Sequence, residues 1–129
     1  KIDIAKQLPG EIVMATILNS NENQLAEGKS RPVVLVRRDD GHWLVMCLTT
    51  HDVYRNGQPR TPVPAPEAVG LDGPGFLWGG RLTSVSAIDI GRHLGWADLG
   101  LVDAIDGLVG LTLNDRTALT DAAHEHHGE

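Results

Sequence analysis

Cysteine is nearly missing from this sequence. Cys47 is the only one in 129 residues, so no intrachain disulfide can form. It sits in an apolar run, and a reducing compartment, the cytoplasm, is the expectation. Aromatic side chains are also scarce, at 4% of the chain, which leaves Trp43, Trp78 and Trp96 to dominate packing. No apolar stretch is long enough to cross a bilayer, and no charged-then-apolar leader precedes the first strand. The first residue is Lys1 rather than Met, so the natural beginning of the chain stays open. Positive charge is lacking in one region only. Residues 93–129 carry Arg116 alone against seven acids, whereas residues 29–92 carry eight Lys/Arg against six Asp/Glu. The net charge of −6 thus belongs to the C-terminal third. The middle of the chain is mildly basic, and a polyanionic ligand is not excluded there.

The length suits one domain with a real core and is too short for two. Fifteen glycines and seven prolines point to many turns and short strands. The most informative stretch is Gly28 to Thr50, GKSRPVVLVRRDDGHWLVMCLTT. Pro32 to Val36 reads as an apolar strand, Arg37 to Gly41 as the turn, and Trp43 to Leu48 as the return strand. A hairpin closed at residues 39–41 lays its open ends side by side, so Arg31 meets Thr49 and Thr50. A guanidinium facing two hydroxyls at a strand mouth is a candidate anion site.

Around the hairpin, Glu11 to Leu18 reads as a first strand and residues 19–28 as a polar loop. Residues 51–73 are rich in proline, glycine and charge, with 61–64 and 68–71 as candidate edge strands. Phe76 to Trp78 and Arg81 to Ser86 read as further short strands. This spacing predicts a mainly β, α+β fold with a small barrel or strongly bent sheet. After Gly95 the period becomes helical: Leu101, Val102, Ile105, Leu108, Val109 and Leu113 recur on one face, with Asp98 near the helix start. The domain is expected to end near residue 113. Residues 114–129 then form an acidic, histidine-containing tail, frayed or disordered. His124, His126 and His127 lack a partner cysteine or carboxylate framework, so no metal site is expected.

Taken in order, several segments resemble the MazF/PemK family of bacterial toxins. They are Pro9-Gly10-Glu11-Ile12-Val13, Gly28 to Val36 with its Arg31-Pro32 step, Leu48-Thr49-Thr50, Arg81 to Ser86, and Leu94-Gly95-Trp96. The resemblance covers about residues 9–113. It implies an SH3-like barrel with a C-terminal helix packed on it, usually a homodimer, and a cognate antitoxin as partner. It also implies metal-independent, cofactor-free cleavage of single-stranded RNA, with the ribose 2′-OH as nucleophile and a 2′,3′-cyclic phosphate as product. The family's arginine and hydroxyl positions fall on Arg31 and Thr49, with Thr50 adjacent. The chemistry fits, because a fixed guanidinium beside a hydroxyl stabilises charge building on phosphorane oxygens.

The sequence departs from the family at two further catalytic positions, an arginine and an aspartate, where Trp78 and Gly80 stand. Glu27 is near a family glutamate but out of register. His51 is the candidate general base. Lys29, Arg55, Arg60 and Arg81 are candidate phosphate contacts, and Trp78 a candidate stacking surface. Two alternatives remain: a catalytically inactive SH3-like binding module, and a same-fold toxin acting on a protein such as DNA gyrase. Gyrase-directed relatives use a tryptophan-containing C-terminal end, where this sequence reads HEHHGE.

Overall fold

The computed structural model describes residues 7–17 and 29–128. The polar loop at 19–28, Glu27 included, and the side chain of Lys29 lie outside the described residues. Among the described residues six strands and two α-helices follow in the order β1 (Glu11–Ile17), β2 (Lys29–Asp39), β3 (His42–Thr49), β4 (Phe76–Leu77), β5 (Thr83–Ser86), β6 (Ile90–Trp96), α1 (Leu99–Val109) and α2 (Leu113–His127). All strand pairs are antiparallel, giving the mainly β, α+β architecture that the short-strand pattern implies.

The apolar run Pro32 to Val36 becomes the centre of the sheet, with β1 on one side and β3 on the other. Its residues alternate between two cores because successive side chains leave a strand on opposite faces. Val33 and Leu35 join Val13, Trp43, Val45, Cys47, Val85 and Ile90 in an inner core, on which residues from both ends of the sheet converge. Val34 and Val36 join Ile12, Met46, Leu48, Leu101, Ile105 and Leu119 in an outer core between sheet and helices. Burying β2 on both faces explains why it reads as an unbroken apolar run.

The turn is tighter than the sequence suggests. Asp39 pairs with His42, so only Asp40 and Gly41 lie between the strands, at φ 50° and 85°. Two consecutive positive φ values match the right-handed twist of the flanking strands, and Asp-Gly tolerates both. A bulge at Val36, where the register shifts between Leu35 and Arg37, accommodates the longer β2.

Three expectations are corrected. The expected barrel is a strongly bent sheet that does not close: its hydrogen-bonded order runs β4-β3-β2-β1-β6, with β5 also on β3. The chain passes from β5 to β6 through a single 3-10 turn, Ala87–Asp89, linking the two edges covalently rather than by a ladder. Strand β6 itself, IGRHLGW, carries two glycines and no clean alternation, and it pairs with β1 through two register breaks. Residues 67–69 form a 3-10 turn instead of part of an edge strand.

The third correction concerns the C-terminus. The helical period from Asp98 to Leu113 is broken at Gly110, which caps α1 at φ 70°. Thr112 then starts α2, its side chain accepting from the Asp115 amide at 3.1 Å. Residues 113–127 are a continuous helix that buries Asp115, Leu119 and Ala123, not a loose tail. Its last turn is docked: the His126 ring stacks on Trp96 at 3.6 Å, and Nε2 of His127 donates to the Trp96 carbonyl at 2.8 Å. Asp98 caps α1 as its position near the helix start implies, accepting from the Leu101 amide at 3.0 Å. Among the described residues, no helix is long and apolar enough to cross a membrane.

Candidate functional site

At the open end of the β2–β3 hairpin the sheet presents polar groups above the inner core. Val33 pairs with Cys47, so the alternation puts Arg31, Cys47 and Thr49 on one face. Thr50 follows in a bend just past the strand end. The Arg31 guanidinium carbon lies 4.7 Å from the centre of the Trp78 ring, which the Trp78 amide fixes by donating to the Cys47 carbonyl at 2.8 Å. Cation–π contact holds a guanidinium in place while leaving its N–H groups free to donate.

Thr49 is only 4% exposed. Its Oγ accepts from the His51 amide at 3.2 Å, so the hydroxyl proton stays available for an acceptor in the site. Burial pushes the Cys47 thiol above its ordinary range, while a side-chain hydrogen bond to Thr83 and the Arg31 charge pull the other way. The thiol therefore stays neutral at neutral pH beside the Arg31 charge.

Beside the cluster a cleft of about 570 Å³ runs over the strand ends. Its rim carries Ser30, Arg31, Thr49 and Thr50 from the hairpin and Arg92 from β6. Met14, Pro32, Leu48, Leu71 and Leu94 give it an apolar floor, and the 70–75 loop, with Asp72, forms the far wall. This wall is set by main chain. A Cβ on Gly70 would stand 2.2 Å from the Leu94 carbonyl oxygen, and one on Gly95 would stand 2.3 Å from that of Val69. Gly70 also has φ 95°, so glycine is required there for two separate reasons.

The chain is similar to the Mycobacterium tuberculosis toxin MazF-mt6, at 20% sequence identity and a TM-score of 0.49, over 92% of this chain and 96% of that one. No family model matches the sequence, and no curated protein matches it.

Of the residues singled out from sequence, Arg31, Thr49 and Trp78 come together, and Thr50 lines the cleft. His51 is exposed two residues beyond Thr49. Arg81 is exposed in the segment before β5, and Arg55 is exposed in the 51–60 loop. Arg60 is corrected: its guanidinium organises that loop rather than standing clear for a phosphate. It donates to the carbonyls of Val53 at 2.7 Å, Trp78 at 3.1 Å and His51 at 3.3 Å, and it lies against the Tyr54 and Trp78 rings. Trp78 is likewise occupied by two guanidinium groups and the inner core, so it is not an open stacking platform.

Sequence reasoning missed Thr83, Asp72 and Arg92. Thr83 was hidden inside a strand pattern, whereas Asp72 and Arg92 enter the site only through the long-range contact of the 69–70 and 94–95 backbones. Among the described residues, no group of three or more His, Cys, Asp or Glu side chains is placed to hold a metal.

Proposed function

We propose that this chain is the toxin of a toxin–antitoxin pair, an endoribonuclease that cuts single-stranded RNA by 2′-OH attack. The observation that carries the reading is the Arg31 guanidinium, 4.7 Å from the Trp78 ring and on the same strand face as the Thr49 hydroxyl. In the reaction, the 2′-oxygen forms a bond to phosphorus as the bond to the 5′-oxygen breaks. The 2′ proton passes to a base, for which His51 is the assignment, and the departing 5′-oxygen takes up a proton. Negative charge grows on the two non-bridging oxygens. Arg31 and the Thr49 hydroxyl donate to them, and do so most strongly at the pentacoordinate stage. The guanidinium supplies the charge that a metal ion supplies in other nucleases, and its planar fork spans two oxygens.

Lys29, Arg55 and Arg81 extend the basic surface for the flanking backbone in this reading. A second copy of the chain completes a homodimer, and the antitoxin lays a disordered acidic or apolar segment over the cleft. The test is cleavage of a long single-stranded RNA in EDTA. Wild type is expected to cut, and Arg31→Ala to lose about a hundredfold or more in rate, the effect of removing a transition-state donor. A wild-type protein inert on varied RNAs replaces this reading with the binding-only module, for which Trp78 and Gly80 at two catalytic positions of the family speak.

A further inference from the structure

We propose that the cleft is a nucleotide subsite that selects guanine, with Asp72 reading the base and Arg92 holding the phosphate beside the one bound at Arg31. This rests on the RNA-cleavage reading above. The cleft's volume of about 570 Å³ falls in the ordinary range for small-ligand sites. Its floor of Met14, Leu48, Leu71 and Leu94 suits the flat apolar face of an unstacked base.

Specificity follows from the wall. Among the described residues Asp72 is the one acidic side chain lining the cleft, and a carboxylate only accepts hydrogen bonds. Guanine alone offers two parallel donors on its Watson–Crick edge, N1–H and the 2-amino group. Cytosine and adenine offer an amino group next to an acceptor, which a carboxylate repels. Uracil offers a single N–H between two carbonyls.

The cationic side is placed by the sheet. Ala15 on β1 lies between Arg31 on β2 and Ile90 on β6 in the ladder, which puts the backbone of Arg31 roughly 10 Å from that of Ile90, two residues before Arg92, and both arginines line the cleft. Two long guanidinium side chains span neighbouring phosphates from there. Among the described residues neither the Asp72 nor the Arg92 side chain has a hydrogen-bond or ion-pair partner. Gly70 and Gly95 bring the loop carrying Asp72 against the strand carrying Arg92.

Two experiments test the subsite. In the first, cut sites on a long random RNA are sequenced for wild type, Asp72→Asn, Asp72→Ala and Arg92→Ala. Wild type is expected to enrich guanine at the nucleotide flanking the cut, and Asp72→Ala to lower that enrichment at least tenfold. Asp72→Asn, with one acceptor and one donor, moves preference toward cytosine and adenine, a change that a merely structural Asp72 does not produce. Arg92→Ala raises KM several-fold and reduces the salt slope of binding by about one phosphate. If wild type cuts without guanine enrichment, or Asp72→Asn keeps the wild-type profile, the subsite is wrong and the nuclease reading stands. In the second, the four nucleoside monophosphates are titrated and followed by NMR. Guanosine monophosphate is expected to bind at least tenfold tighter than uridine monophosphate, with the margin lost in Asp72→Ala. Equal binding, or none, overturns the subsite even in a protein that cuts no RNA.

Discussion

The Arg31 guanidinium rests against the Trp78 indole, 4.7 Å from the ring centre, and this contact joins a strand-end arginine to a residue 47 positions later. In the proposed reading Trp78 positions a cation rather than supplying one. Cation–π contact at a partly shielded site is worth about 1 kcal/mol. Trp78→Ala is therefore expected to lower kcat roughly fivefold beyond any loss of stability, with Trp78→Phe recovering most of it. Single-turnover RNA cleavage of the three proteins, each checked for folding by thermal melt, decides the matter; equal kcat in the alanine and phenylalanine variants rules the positioning role out.

Arg60 makes a different prediction from the other arginines. With three main-chain carbonyls as acceptors, its loss leaves the 51–60 loop without its tie, at a cost of about 1–3 kcal/mol. Arg60→Ala should speed amide exchange at Tyr54 and Gly57, whose hydrogen bonds to Gln58 and Tyr54 close that loop. It should leave the salt slope of RNA binding unaltered.

Cys47 sets an alkaline limit. Its thiol pKa is raised in the folded state above the unfolded value of about 9.0, so the folded chain binds the proton more tightly. Stability from this group is fully present below that unfolded value and declines as pH rises toward the folded one. Denaturant titrations should show wild type losing stability above about pH 9 faster than Cys47→Ala. Native protein at pH 7 should resist alkylation until unfolded.

Helix α2 contributes to the core. Leu119 is fully buried between α2 and the outer face of the sheet. Leu119→Ala is expected to cost about 2–5 kcal/mol, read as a lower denaturation midpoint with unchanged slope. A change below about 0.5 kcal/mol would mean that the helix is peripheral after all.

How much was legible in the sequence depended on whether a signal was local. The apolar run at Pro32 to Val36, the Asp-Gly turn and the two short strands Phe76–Leu77 and Thr83–Ser86 are written in consecutive residues. From the hairpin alone Arg31 and Thr49 follow as neighbours. Strand β6 was illegible because IGRHLGW owes its conformation to pairing with β1, through register breaks that no alternation encodes. The tail was misread because α2 has a weak apolar face. Its helix is stabilised by the Thr112 cap, by Leu119 and Ala123 in the core, and by the Arg116 pairs with Asp103 and Asp106 on α1. Arg60 looked like a phosphate ligand because composition counts charges and not the carbonyls that surround them.

Where Gly70 and Gly95 touch, no side chain can be interposed, so the gap between loop and strand is fixed like the jaws of a caliper. An engineer probing the proposed subsite would leave those two glycines untouched and vary only the fingertips at 72 and 92.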